Sequence, residues 1–157
     1  MEQDLLISIK TQYANQIFNG SKKFEFRRRS IGDKNCNKKI FVYSSEKDKS
    51  IIGYIIVDKI LKGDLKYILE VTNYTNNKDI INYFEGCNQC FALHISEMHR
   101  FLEPINIDDI KNNYKDFVIP QFYRYLKKDE SIFNDLEGRK TIWKHIIWSW
   151  EQNILIS

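Results

Sequence analysis

Proline and glycine are scarce, two and six in 157 residues, which excludes collagen-like and low-complexity architectures. Cysteine is also rare. Cys36, Cys87 and Cys90 make an odd count with no disulfide framework. Cys87-Asn-Gln-Cys90 has the spacing of half a zinc site, but beyond it the chain has only Cys36 and the histidines His94, His99 and His145 to complete it. The pair therefore reads as two thiols in a turn between a helix and a strand, and neither a metal nor a cofactor is expected. No apolar run approaches the roughly 20 residues that span a bilayer. The acidic start, Met1 to Asp4, leads into an apolar stretch too short for a signal peptide. The expectation is a cytoplasmic protein with no membrane partner.

What is present is a core-forming composition, 43% hydrophobic and 14% aromatic, in a chain of one-domain size. The net charge is +3, unevenly spread. Residues 20–50 hold ten basic side chains against four acids, +6, which leaves −3 for the rest. The centre of this band is Gly20-Ser-Lys-Lys-Phe-Glu-Phe-Arg-Arg-Arg29. Phe24 and Phe26 alternate there with Glu25 and Arg27, giving a strand with one aromatic and one charged face. A carboxylate among so many cations is either a structural ion pair or part of an anion site. The local basic band makes nucleic acid the first partner to test.

Along the chain, Leu5 to Ile9 reads as a buried strand. Thr11 reads as the cap of a helix that places Tyr13, Ala14, Ile17 and Phe18 on one face and closes at Gly20. Strands are expected near 22–29, 39–44 and 50–61, the last interrupted at Gly53 by a bulge or a close backbone approach. Short helices are expected around Leu65–Leu69 and Ile80–Phe84. A strand then starts at Cys90, reaches Phe101 at most and breaks at Pro104. Asn106 or Asp108 can cap a further helix running to Tyr114, and Lys127 to Lys140 reads as a polar connection. Ile142, Trp143, Ile146, Ile147, Trp150 and Ile154 recur at helical spacing. That stripe predicts a C-terminal helical extension, 127–157, beside a domain of 1–126. The helix either packs on that domain or forms a dimer or partner surface. With no alternating βαβ series, the fold class is α+β: a small, mainly antiparallel β-barrel with peripheral helices.

Several segments together carry a family resemblance. They are Leu6-Ile-Ser-Ile-Lys10, Gly20-x-Lys22-x-x-Glu25-x-Arg27, Ile40-Phe-Val-Tyr-Ser-Ser45, Ile52-Gly-Tyr54, Tyr83-Phe-x-Gly86 and Pro120-Gln-x-x-Arg-Tyr-Leu126. In order and spacing, over residues 5–126, they resemble the ASCH domain of the PUA-like superfamily. The resemblance implies a β-barrel with a cleft that binds RNA or a modified nucleotide, lined by Lys22, Glu25 and Arg27. Candidate ligand contacts are Lys10, Lys22, Lys23, Glu25, Arg27, Tyr43, Ser44, Tyr54, Gln121, Tyr123 and Arg124.

The residue chemistry agrees in kind. Lys and Arg can meet a phosphate, Glu25 can accept from a base edge, and Tyr43, Tyr54 or Tyr123 offers a stacking face. Strict alternation groups Lys23, not Lys22, with Glu25 and Arg27; the family spacing favours Lys22. Two departures stand out. Thr11 replaces a proline frequent in relatives, and Phe122 stands where they tend to have serine. If the protein is an enzyme, Lys22, Glu25 and Arg27 are the catalytic candidates. A ribonuclease would draw base, acid and phosphate stabilisation from these three and Tyr43. Acetylcytidine amidohydrolase activity is disfavoured, because those relatives carry a threonine nucleophile at the position of Glu25.

Overall fold

The apolar run at the N-terminus is buried on both faces and becomes an interior strand. The computed structural model describes residues 3–145, with side chains through residue 142. β1 (Leu5–Lys10) sends Leu5, Ile7 and Ile9 into one core and Leu6 into another. It pairs in parallel with β3 (Lys39–Ser45) and antiparallel with the short β6 (Tyr123–Tyr125). The remaining pairs are antiparallel and give the order β2-β5-β4-β3-β1-β6, where β2 is Phe24–Arg27, β4 is Ser50–Gly63 and β5 is Cys90–Asn106. The two long strands, β4 and β5, carry ladder shifts between Ile51 and Gly53, Ile56 and Val57, and Val57 and Lys59, each of which adds twist. The sheet curls into a half-barrel, with helices outside.

The curl brings the two sheet edges together. Arg27, on edge strand β2, donates to the carbonyls of Phe122 at 3.0 Å and Ser8 at 3.4 Å beside the other edge. One core lies under helix α1 (Thr11–Phe18), a second under α4 (Ile107–Asn113) and α5 (Phe133–Gly138). A third, built on Phe26, Ile68, Phe84 and Ala92, sits under α2 (Leu65–Thr72) and α3 (Lys78–Tyr83).

Four expectations need correction. Thr11 does not cap α1. Its hydroxyl donates to the Ser45 carbonyl and accepts from the amides of Lys47 and Asp48 at 3.2 and 3.1 Å. It therefore organises the β3–β4 turn, where Glu46 and Lys49 adopt positive φ. Second, Pro104 does not end β5. It falls where the β4–β5 register skips from Gly53↔Arg100 to Ile51↔Ile105, so its missing N–H costs no ladder bond. Third, the 127–140 connection contains α5. Fourth, Thr141–His145 is a strand, β7, paired with β5, and not the start of a helix. The stripe beyond residue 145, and the dimer reading built on it, lie outside the described residues. Asn106 does cap α4, accepting from the Asp109 amide at 2.9 Å. No helix among the described residues is long and apolar enough to cross a membrane.

Candidate functional site

Lys22 reaches the site because the chain has not yet become a strand there. Gly20 takes φ +86°, a left-handed conformation that closes α1, and the Lys22 amide still donates to the Gln16 carbonyl at 3.0 Å. This hook turns Lys22 inward and leaves Lys23 exposed. Lys22 Nζ then donates to Glu25 Oε1 at 2.7 Å and to the Phe24 carbonyl at 2.6 Å. It also lies 5.6 and 5.4 Å from the ring centroids of Tyr13 and Phe26. Glu25 Oε2 faces Arg27 at 3.5 Å. The side chains of Lys22 and Glu25 are 9% and 7% exposed, that of Arg27 13%. The trio thus converges at the barrel seam, with Lys22 and Glu25 beneath and Arg27 as the group that meets the opposite edge.

Sequence reasoning missed Tyr83. Burial pushes its hydroxyl above the usual phenol range, opposed by the charge of Arg27 and reinforced by that of Glu25. It thus stands within electrostatic reach of Arg27 and Glu25. Arg28 Nε donates to the Tyr83 carbonyl at 2.7 Å, and its guanidinium lies 4.7 Å from the ring centroid. The family-like Tyr83-Phe-x-Gly86 segment was the available signal.

The other candidates divide. Gln121 and Tyr123 flank Phe122, whose carbonyl Arg27 holds, and Tyr123 reaches the Ser30 carbonyl at 3.5 Å. Lys10 instead pairs with Glu46 at 3.7 Å across an exposed surface. Ser44 is buried against Thr11 and donates to Asp48 at 2.9 Å, a turn-building role. Tyr43 is 4% exposed within the second core. Arg124 forms a forked pair with Glu130, 2.8 Å on both nitrogens.

Tyr54 lies elsewhere. It stacks on His99 with centroids 4.4 Å apart and planes at 12°, on the wall of a cavity of about 650 Å³ also lined by Asp4, Lys39, Glu97 and Glu137. Burial lowers the pKa of the His99 imidazole. Desolvation, then the hydrogen bond to Glu137, push the Asp4 carboxyl up to about 7. Glu137 moves down: burial opposes this, but the bond from Asp4 and the Lys39 ammonium at 3.0 Å outweigh it. Asp4 therefore contributes stability while it holds its proton and loses that contribution as pH rises through about 7. Glu137 loses its contribution as pH falls through its lowered pKa. The pairing of Asp4, just before β1, with Glu137 on α5 is tightest between those limits. Asp4 is half-exposed, so solvent screening reduces the effect to about 1 kcal/mol, or about 2–4 °C in melting temperature. We expect wild type to lose that much between about pH 6 and about pH 8. Asp4→Asn, which keeps a donor but does not titrate, should show no such loss in melts across the same range.

No protein-family model matches the sequence. The curated ASCH domain-containing ribonuclease of Zymomonas mobilis subsp. mobilis is 30% identical over 134 residues, spanning 82% of this chain and 88% of the relative. A crystal structure of ASCH from Zymomonas mobilis superposes with a TM-score of 0.75 at 26% identity, over 88% of this chain and 96% of that one. The N-terminal domain of Staphylothermus marinus McrB, at TM-score 0.53 and 10% identity over 87% of this chain and 97% of that one, shares the fold alone.

Proposed function

The chain belongs to the ASCH domain family, and from that premise we propose that it acts on RNA, binding a single strand across the barrel seam at Arg27 and cleaving it there. The observation that carries this reading is the convergence of Lys22, Glu25 and Arg27 between the two sheet edges, beside the Phe122 and Ser8 carbonyls. The basic band around it supplies the field that draws a polyanion. The relative named a ribonuclease aligns with nearly the whole domain.

In such a cleavage the 2′-hydroxyl oxygen bonds to the adjacent phosphorus and the bond to the 5′-oxygen breaks. In this reading Glu25 takes the 2′-hydroxyl proton, the Lys22 ammonium returns one to the departing oxygen, and Arg27 holds the charge building on the phosphate. The products are a 2′,3′-cyclic phosphate and a 5′-hydroxyl.

A second reading, a binder of RNA or of a single modified nucleotide without turnover, is favoured by one feature. Lys22 and Glu25 are nearly enclosed and satisfy each other's charge. End-labelled single-stranded RNA separates the two. Wild type should yield fragments ending in cyclic phosphate from RNA and none from the all-deoxy strand, with Arg27→Ala at least about tenfold slower, as expected when one charge-assisted bond to the transition state is lost. Salt-sensitive binding with no fragments would select the binder; no binding at low salt would sink both the cleavage reading and the RNA-binding form of the second.

A further inference from the structure

Three successive arginines leave β2 in different directions. Arg27 turns into the seam and Arg28 folds over Tyr83. Arg29 is exposed and makes no hydrogen bond or ion pair among the described residues. Arg28 and Arg29 line an open surface groove of about 660 Å³. Asn88 and Gln89, from the turn before β5, and Phe91 line it too. No acidic side chain is among the residues lining it. Phe91 is the cross-strand partner of Arg27, so the groove opens one position away from the seam. The amides of Asn88 and Gln89 are exposed and make no hydrogen bond among the described residues.

These groups match the parts of a nucleotide. An arginine without an internal partner is free to fork onto a phosphate. Paired side-chain amides can meet the N6/N7 edge of an adenine, and a half-buried aromatic ring gives a base a face to lie on. The mixed-charge cavity around Tyr54 lacks this bias, since acids and lysines line it together.

We propose that the Arg29–Asn88–Gln89–Phe91 groove is a subsite for the nucleotide flanking the one at the Arg27 seam, with Arg29 on its phosphate and the two amides on an adenine edge. The inference rests on the RNA reading above and adds to it a place for the flanking residue and a base preference. The strand then runs from the seam over the Tyr83–Arg28 pair into the groove. Cys87, half-buried at the groove rim, has no role in recognition but reports on occupancy.

The test is fluorescence anisotropy with labelled single-stranded oligoadenylate and oligouridylate over a salt series. Gels of the same samples follow cleavage. Arg29→Ala should weaken oligoadenylate binding about tenfold and reduce the slope of log affinity against log salt by about 1. Asn88→Ala with Gln89→Ala should abolish the preference for adenine over uridine. Adenine oligonucleotide should also protect Cys87 from alkylation in a Cys36→Ser background. If Arg27→Ala weakens binding while Arg29→Ala matches wild type in affinity and salt slope, the subsite is overturned and the RNA reading stands. If wild type binds neither oligonucleotide at low salt, both fall. Arg29, Asn88 and Gln89 are exposed, so these variants should melt as wild type does.

Discussion

Replacing Glu25 by alanine should destabilise the fold by about 3–5 kcal/mol, the range for removing one partner of a buried ion pair. The reason is what remains. The Lys22 side chain is 9% exposed, so its ammonium would be left nearly enclosed with no carboxylate beside it. The Phe24 carbonyl at 2.6 Å and the rings of Tyr13 and Phe26 stay in contact with it, but none of them carries a compensating charge. Arg27 loses the carboxylate that holds it at 3.5 Å, although its bonds to the Ser8 and Phe122 carbonyls persist. The double variant Lys22→Met with Glu25→Leu should recover most of the loss, because an apolar pair of similar volume needs no charge compensation. Urea unfolding of wild type, the single and the double variant checks this. A double variant as unstable as the single would show that shape, and not charge, is what the pair supplies. A stable double variant that neither binds nor cleaves RNA would show that the barrel does not require these charges and that activity does.

The sequence disclosed the trio better than the surroundings that make it a site. The Gly20-x-Lys22-x-x-Glu25-x-Arg27 spacing was visible, but alternation pointed to Lys23. The hook that selects Lys22 depends on a left-handed glycine and one amide bond to Gln16, which periodicity does not encode. Tyr43 and Tyr54 lie away from the trio for a related reason. β3 is buried on both faces, so its pattern does not say which core Tyr43 enters, and Tyr54 follows it to the far side of the sheet. Arg28 meets Tyr83 across 55 residues, with no local signature. At Thr141–His145 a β-branched and aromatic sequence suits a strand. The helical reading drew on positions further along that the short run itself does not contain. Gly53 was legible because a glycine that interrupts a long β-pattern marks a bulge or a close backbone approach, and the structure has both there.

That glycine carries the second large effect. Gly53→Ala should cost about 2–5 kcal/mol from overpacking and backbone strain together. A Cβ built at Gly53 would lie 2.2 Å from the His99 carbonyl oxygen and 2.9 Å from the Arg100 Cα. Both are backbone atoms of β5, so no side chain can rotate away to make room. The residue also has φ +155°, a conformation that L side chains rarely adopt. It sits where the β4–β5 ladder shifts register, next to the matching shift at Val42 and Tyr43 on β3. Relief would require β4 and β5 to separate at the bulge that curls the sheet. The curl in turn sets the distance between Arg27 on one edge and the Phe122 carbonyl on the other. Gly53→Ala should therefore lose RNA binding at temperatures where far-ultraviolet circular dichroism still reports a folded sheet. A surface control such as Gly138→Ala, whose Cβ meets nothing within 4 Å, should leave both unchanged. If Gly53→Ala unfolds and releases RNA at one and the same midpoint, the bulge serves stability alone and the link from curl to seam is broken.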